Sequence, residues 1–204
     1  MDIFYIGGSP CSGKSTVAEA LAARYGLAHF KVADHLDAFT ARGAAAGLPV
    51  CRRILGMSPD ETWMRPPHLQ CREELAYYTE IAPLVTEELR QLPSQLILTE
   101  GAAFLPHLMQ AQGIAPTRYI AIIPSRDFQI SRYQQRPWVP HVLRDCTDPE
   151  AAFANWMERD ALFAEGIRRQ CRQSGYSCLL TDGTISAEER LAQVAAHFRL
   201  DRVC

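Results

Sequence analysis

One short segment near the start of the chain constrains the fold more than any other feature. It reads Gly-Ser-Pro-Cys-Ser-Gly-Lys-Ser-Thr over residues 8–16 and fits the pattern G-x-x-x-x-G-K-[ST] without a mismatch. An apolar run (3–6) comes directly before it, and apolar residues at helical spacing, Val17, Ala20 and Leu21, come directly after it. This order of strand, glycine-containing loop and helix is the setting in which the pattern forms a phosphate-binding loop.

The residue types of this loop suit the chemistry of a polyphosphate. Backbone N–H groups at a helix N-terminus and the helix dipole both attract anions, and glycine lets the backbone turn and approach closely. The pattern predicts that Lys14 reaches the β- and γ-phosphates and that the Ser15 hydroxyl ligates Mg²⁺. The residues predicted to bind the nucleotide here are Gly8, Ser9, Pro10, Cys11, Ser12, Gly13, Lys14, Ser15 and Thr16.

The composition argues against several function classes. The formal net charge of −2 gives no bulk attraction to nucleic acid or to an anionic membrane. The cysteine count is 7, an odd number, and no C-x-x-C occurs, so neither a disulfide framework nor a zinc site is indicated. No apolar run is long enough to span a membrane, and no secretory signal is recognisable. We therefore expect a cytoplasmic protein with free thiols, whose oligomeric state the sequence leaves open.

Short apolar runs alternate with longer helical patterns along the chain. This rhythm predicts an α/β fold with a parallel sheet covered by helices on both faces, in a single domain over 1–204. Pro83 is expected to kink or split a helix over 72–92. A helical insertion (41–92) and an arginine-rich segment (125–147) follow the second and fourth strands, beyond whose ends ligands bind in such sheets. The predicted strands are 3–6, 29–33, 95–99, 118–123 and 177–181.

Acidic residues follow two of the predicted strands. Asp34 comes at the end of the second strand, where it is predicted to accept a proton or to hold Mg²⁺; its alternative role is to cap the next helix. Asp37 is a second candidate base or a substrate-binding residue. Glu100 and Gly101 follow the third strand, and Gly101 is predicted to let the acceptor substrate approach closely. Because Glu100 is one methylene longer than the aspartate usual at such a place, it is predicted either to order Mg²⁺ through water or to position the acceptor.

Positive charge and a second turn complete the predicted site. Arg132 and Arg136 stand at i,i+4, and together they could grip a polyphosphate; the alternative is a solvated helix face. Asp182 and Gly183 follow the fifth strand, where they are predicted to lie against the nucleotide base or to form a plain turn. Arg65 in the insertion is a candidate acceptor-binding residue, although packing or surface exposure would also account for it.

With the loop, Asp34, Glu100 and the arginines in this order, the chain resembles the P-loop kinase superfamily. It looks most like the small-molecule and nucleotide kinases, which include shikimate, gluconate, adenylate and cytidylate kinases and the chloramphenicol phosphotransferases. The resemblance implies a three-layer α/β/α fold with strand order 2-3-1-4-5, an acceptor-binding insertion and a lid. It also implies that Asp34 matches the family's general base and that Arg132 and Arg136 match its lid arginines.

These residues favour an ATP-dependent phosphotransferase that uses Mg²⁺ and acts on a hydroxyl of a small molecule. One alternative is a nucleoside or nucleoside monophosphate kinase. Another alternative, of a different class, is an ATP-binding switch that acts on a partner protein. A GTP switch would carry the guanine-binding motif Asn-Lys-x-Asp. The chain has lysine only at positions 14 and 31, and neither lysine follows an asparagine, so the motif is absent and a GTP switch is excluded.

Overall fold

The computed structural model describes residues 2–94 and 96–202, and within them five strands form one parallel sheet. The strands lie in the order β2-β3-β1-β4-β5, which confirms the predicted topology. The strand bounds are β1 Asp2–Gly8, β2 Ala28–Lys31, β3 Leu96–Glu100, β4 Tyr119–Pro124 and β5 Ser177–Thr181.

Helices connect the strands and occupy both faces of the sheet. They are α1 Lys14–Tyr25, α2 Leu36–Ala45, α3 Pro49–Gly56, α4 Pro59–Trp63, α5 Pro67–Gln91, α6 Pro106–Ala111, α7 Arg126–Gln134, α8 Val139–Leu143, α9 Pro149–Ser174 and α10 Ala187–Phe198. Short 3-10 helices cover Val32–His35, Pro116–Arg118 and Leu200–Arg202.

Two hydrophobic layers sandwich the sheet. On one face, Phe4 and Ile6 of β1 pack against α1 and α10 through residues such as Leu21 and Val194. On the other face, α5, α6 and α9 cover the sheet, with Phe163 of α9 fully buried there. Strand β4 lies inside the sheet and is buried along its whole length, as a strand covered on both faces must be. The fold is therefore the predicted three-layer α/β/α arrangement.

The structure differs from the sequence expectations at two elements. Strand β2 ends at Lys31 rather than at residue 33, because Val32 already begins a 3-10 helix. Helix α5 runs unbroken through Pro83. Proline removes one helical hydrogen bond, and the burial of Ile81 and Val85 on either side of it holds the helix together. Residue 95, where the third strand was predicted to begin, lies outside the described residues.

No helix in the described part of the chain combines the length and apolarity that crossing a bilayer requires.

Two buried helix glycines give opposite predictions for stability. A Cβ added to Gly166 in α9 would meet nothing within 4 Å, so Gly166→Ala should raise the free energy of unfolding by about 1 kcal/mol through helix propensity. A Cβ at Gly43 in α2 would lie 2.6 Å from the Cys51 Sγ atom, so Gly43→Ala should lower it by about 1–3 kcal/mol through overpacking. Urea unfolding of both variants measures the difference, and equal effects would contradict the packing described here.

Candidate functional site

The loop between β1 and α1 has a backbone path that its sequence is suited to follow. Gly8 and Gly13 have positive φ values of 120° and 85°, and Cys11 also has a positive φ of 57°. A Cβ added to Gly8 would lie 1.9 Å from the carbonyl oxygen of Ile122 in β4. Only glycine fits at this point of contact between β1 and β4, so Gly8 fixes where the loop leaves the sheet.

Lys14 lies inside this loop with its ammonium group held by uncharged oxygens. Its Nζ atom donates to the Ser9 carbonyl oxygen at 2.6 Å and to Ser12 Oγ at 3.4 Å, and the residue is 7 % exposed. Burial lowers the pKa of Lys14, and the negative charge of Glu100 opposes this shift. A buried cation whose hydrogen-bond partners are neutral is a ready partner for an anion.

The N-terminus of α1 is open in the same place. Its capping residue is Gly13, no side chain caps the helix, and no acidic residue lies in its first turn. Ser125 caps α7 and Asp148 caps α9 with their side chains, whereas α2, α3, α5, α6 and α8, like α1, have no side-chain cap. The N–H groups of the first turn of α1 therefore remain available to an anion beside the Lys14 ammonium.

A hydroxyl and a carboxylate meet next to the loop. Ser15 Oγ donates to Glu100 Oε1 at 2.8 Å, because Glu100 ends β3 directly beside Ile6 of β1. Glu100 is 2 % exposed, so its carboxylate has little access to water. These are the oxygen donors that Mg²⁺ takes. No group of three or more His, Cys, Asp or Glu residues able to hold a metal occurs in 2–94 and 96–202.

Asp34 and Asp37 both have exposed side chains. The Asp34 side chain is 63 % exposed and pairs with Lys31 at 3.5 Å. Asp37 is exposed in the first turn of α2. The early end of β2 explains the placement, since the 3-10 helix that begins at Val32 carries Asp34. Among the described residues, Glu100 is the carboxylate that Ser15 contacts, and the metal-binding role expected for Asp34 stays a prediction.

A cavity of about 570 Å³ opens beside the N-terminus of α1. Residues of the loop, of α7 and of the turn between β5 and α10 line it, and they include Gly13, Phe128, Arg132, Arg136 and Gly183. The Arg132 guanidinium lies over the Phe128 ring at 4.9 Å. Two of the predicted arginines therefore do come together at one cavity beside the loop.

Arg136 reaches this cavity from a different backbone element than predicted. Helix α7 ends at Gln134, so Arg132 and Arg136 do not share a helix face. The Arg136 guanidinium lies 5.3 Å from the Tyr133 ring and 5.5 Å from the Trp138 ring. These cation–π contacts, rather than a helical backbone, hold the Arg136 guanidinium in position.

Asp182 and Gly183, in the turn after β5, have different roles in the structure. The Asp182 carboxylate accepts from the Thr184 backbone N at 2.9 Å and from its hydroxyl at 2.7 Å, and these bonds lower the pKa of Asp182. Asp182 thus shapes the turn, whereas Gly183 lines the cavity. Thr181, which the sequence did not single out, ties this turn to the loop by donating to the Ser12 carbonyl oxygen at 3.0 Å.

A buried charged network joins the loop to α9 and α5. Asp160 is fully buried; its carboxylate accepts from Arg159 at 2.6 Å and from the Tyr133 hydroxyl at 3.0 Å. Ser9 Oγ donates to the Asp160 carbonyl oxygen at 3.4 Å. Arg159 also pairs with Glu74 of α5 at 3.1 Å. Burial raises the pKa of Glu74 to about 7, against the attraction of Arg159.

Sequence reasoning missed this network, although a signal was present. Asp160 lies at helical spacing from apolar residues of α9, four residues after Trp156 and three after Met157. A charged residue inside an apolar stripe is buried with a partner or lies at a site. All three tryptophans lie close by: Trp63 stacks on Trp156 at 4.4 Å, and Trp138 lies 5.9 Å from Trp156. Trp63 therefore packs against α9.

Arg65 belongs to a second cavity, of about 330 Å³, in the insertion. Arg53, Arg72, Glu73, Val50 and Leu69 also line it. Glu73 pairs with Arg65 and, at 2.9 Å, with Arg53. The cavity therefore carries three guanidinium groups and one carboxylate. Within the described residues, Arg65 Nε is buried without a hydrogen-bond partner.

Gly101 has a packing role in this structure. Its N–H donates to the Ile6 carbonyl oxygen at 3.1 Å, and an added Cβ would lie 2.7 Å from the Val32 Cβ atom. The absence of a side chain at Gly101 therefore lets the end of β3 approach the 3-10 helix after β2.

The sequence matches no protein-family model and no curated protein. Among solved structures, the chain is similar to TT1252 from Thermus thermophilus, with 19 % identity, a TM-score of 0.50 and coverage of 100 % of this chain and 98 % of that one. It is also similar to a candidate kinase from Chloroflexus aurantiacus, with 19 % identity, a TM-score of 0.46 and coverage of 96 % and 97 %. The second likeness is too distant to support an argument. Together with the strand order, the first shows the fold, a three-layer α/β/α arrangement around a parallel sheet in the order 2-3-1-4-5.

Proposed function

We propose that the protein is an ATP-dependent phosphotransferase that moves the γ-phosphoryl group of ATP to a hydroxyl of a small molecule. The observation that carries this proposal is the Lys14 ammonium, which is buried in the glycine-bounded loop and bonded to neutral oxygens. It lies at the uncapped N-terminus of α1, next to the Ser15–Glu100 oxygen pair. Phosphoryl transfer needs such positioning and charge stabilisation more than it needs a covalent step.

The nucleotide would lie across the loop and the adjoining cavity. Residues 8–16 would hold its phosphates, and the cavity beside Phe128 and Gly183 would take its base and sugar. Arg132 and Arg136 line the same cavity, and in this proposal they stabilise the charge of the transferring group. Asp182 would act by shaping the turn that closes the cavity.

Ser15 and Glu100 would hold the magnesium ion. Mg²⁺, when bound, draws negative charge from phosphate oxygens and so lowers the barrier to transfer. Asp34 stays in the proposal as the proton acceptor, because it follows β2 at the same edge of the sheet as Glu100. Its exposure leaves it open to an acceptor hydroxyl, and Asp37 is the second candidate for this role.

The acceptor would bind between the insertion and α9. The cavity beside Arg65 lies in the insertion, and Trp63, two residues earlier, stacks on Trp156 near Cys11 of the loop. The cavity beside Arg65 carries three guanidinium groups and one carboxylate. This balance of charge favours an acceptor that carries a carboxylate or a phosphate besides its hydroxyl. This observation keeps a nucleoside monophosphate as the second candidate substrate. The third possibility, an ATP-binding switch, differs in that no acceptor would stimulate ADP release.

The two lysines of the chain give a matched test of the loop. Lys14→Ala should lower the rate of ADP formation by about 100-fold, because it removes a charge that stabilises the transferring group. Lys31→Ala removes the pairs with Asp34 and Glu19 but leaves the loop intact, so it should lower the rate far less than Lys14→Ala does. Coupled ADP assays with circular dichroism as the folding control measure both. Equal activity in the two variants would overturn the assignment of the loop.

The roles proposed for Glu100 and Asp34 predict different effects of their substitution on the Mg²⁺ dependence of the activity. Glu100→Gln should raise the Mg²⁺ concentration needed for half-maximal activity by about 10- to 100-fold, since it weakens a carboxylate near the metal. Asp34→Asn should leave that concentration unchanged and lower kcat, as expected for a proton acceptor. Metal titrations of initial rates distinguish the two. If Asp34→Asn raised the Mg²⁺ concentration for half-maximal activity more than Glu100→Gln did, the result would support Asp34 as the metal ligand instead.

Arg72 tests the acceptor cavity without touching the loop. It is exposed and lines the cavity with Arg65. Hydroxyl compounds with and without a carboxylate or phosphate are screened for stimulated ADP release. For the best acceptor, Arg72→Ala should raise KM by about tenfold with the KM for ATP unchanged. Arg144→Ala, an exposed arginine outside both cavities, is the control. Stimulation by neutral compounds alone would contradict an anionic acceptor, and no stimulation by any compound would favour the switch.

A further inference from the structure

A cavity that the proposed function does not use lies on the face of the sheet opposite α1, between α5 and α6. Its volume is about 570 Å³, and small-molecule sites in proteins span roughly 300–1,000 Å³. Ile3 of β1, Leu89 of α5, Leu108 of α6 and Ile114 contribute to a largely aliphatic wall, and no residue of the loop at 8–16 lines it. The cavity is therefore large enough for a small organic molecule and suited to an apolar one.

Tyr5 brings a buried hydroxyl without a protein partner to this cavity. The residue is 8 % exposed, and its ring packs edge-on against Phe104 at 5.2 Å. Among the residues that the structure describes, nothing forms a hydrogen bond with the Tyr5 hydroxyl. Such a hydroxyl depends on water or on a ligand in the cavity that it lines. The hydroxyls of the other buried tyrosines in the described part of the chain are all bonded, namely those of Tyr77, Tyr78, Tyr119, Tyr133 and Tyr176.

Arg90 gives the cavity a positive charge that makes no ion pair within 2–94 and 96–202. It lies exposed in the last turn of α5, and it is the only charged side chain among the described residues that line the cavity. Its acidic neighbours in α5, Glu87 and Glu88, pair with Arg42 at 2.9 and 3.1 Å. Burial raises the pKa of Tyr5, against the charge of Arg90, so the Tyr5 hydroxyl stays protonated at neutral pH and can donate.

We propose that this cavity binds a small organic monocarboxylate whose remaining atoms are apolar, such as an arylalkanoate. The Arg90 guanidinium pairs with the carboxylate, and the Tyr5 hydroxyl donates to it. The aliphatic wall covers the rest of the ligand and removes its apolar surface from water. One unpaired cation beside an apolar wall matches a single negative charge on an apolar body, whereas a polyphosphate would need several cations.

The cavity lies apart from the proposed reaction centre. Tyr5 stands three residues before Gly8 in β1, which corresponds to roughly 10 Å along the strand. A carboxylate in the cavity is therefore expected to bind without displacing ATP from the loop. The proposed function and this proposal can thus fail independently of each other.

The test titrates the full chain with phenylbutyrate in an isothermal calorimeter. We expect a Kd below about 1 mM, since a charge-assisted pair adds to the burial of the phenyl ring. Phenylbutanol, which has the same apolar body without the charge, should bind at least about tenfold more weakly. Equal affinity for the two compounds would contradict the role of Arg90.

Two arginines in equivalent places give a matched pair of variants. Arg90→Ala should weaken phenylbutyrate binding at least about tenfold. Arg172→Ala is the control, because Arg172 is also exposed in the last turn of a long helix, α9, and does not line the cavity. Tyr5→Phe keeps the ring and should weaken binding about threefold or more, without lowering the thermal midpoint, since the lost hydroxyl has no protein partner.

Two further variants locate the probe. Ala111→Trp adds a ring at an exposed position of α6 that lines the cavity, and it should abolish binding. Lys14→Ala should bind phenylbutyrate as the wild type does. Circular dichroism shows that each variant is folded, and sedimentation velocity gives its oligomeric state.

The proposal is wrong if the folded wild type does not bind phenylbutyrate, or if Arg90→Ala and Arg172→Ala bind it equally well. Loss of binding in Lys14→Ala but not in Arg90→Ala would place the probe in the loop and would also overturn it. A wild-type dimer that Ala111→Trp dissociates would show that a second copy of the chain covers the cavity instead.

Discussion

A single positive charge, the Lys14 ammonium, is enclosed by neutral oxygens in the loop on which the proposed function depends. The Lys14 ammonium is bonded to the Ser9 carbonyl oxygen and the Ser12 hydroxyl, and no carboxylate of the described residues lies within ion-pair distance of it. Removing a charge from water without a counter-charge is unfavourable. The surrounding backbone dipoles replace part of the hydration that the Lys14 ammonium loses. An anion that entered the loop would stabilise the buried charge further.

Several distant parts of the chain keep this loop in position. Ile122 of β4 leaves room only for Gly8, Thr181 after β5 bonds to Ser12, and Asp160 of α9 accepts from Ser9. Each contact links the loop to an element more than one hundred residues later in the sequence. In the proposed reaction, such anchoring would hold the donors in the geometry that the transition state requires, so that they would not need to be reorganised during transfer.

The sequence predicted most of the fold and the centre of the site, because both depend on local patterns. The loop motif places Lys14 and Ser15, and the alternation of strands and helices implies the sheet. What it could not predict depends on where an element ends. Strand β2 ends at Lys31, so Asp34 lies beyond the strand with an exposed side chain. Helix α7 ends at Gln134, so Arg136 does not share a helix face with Arg132. The Asp160 network was missed because its partners, Glu74 and Tyr133, come from elements far apart in the chain.

The clustering of Trp63, Trp138 and Trp156 has a spectroscopic consequence. These residues are all the tryptophans of the chain, and they lie where the insertion, the arginine-rich segment and α9 meet. Arg159 lies over two of the indole rings, at 5.1 Å from Trp63 and 5.9 Å from Trp156. Intrinsic emission excited at the red edge of protein absorption therefore originates at this junction, next to the Arg159–Asp160 pair. The protein carries its own optical reporter of how these three segments are arranged.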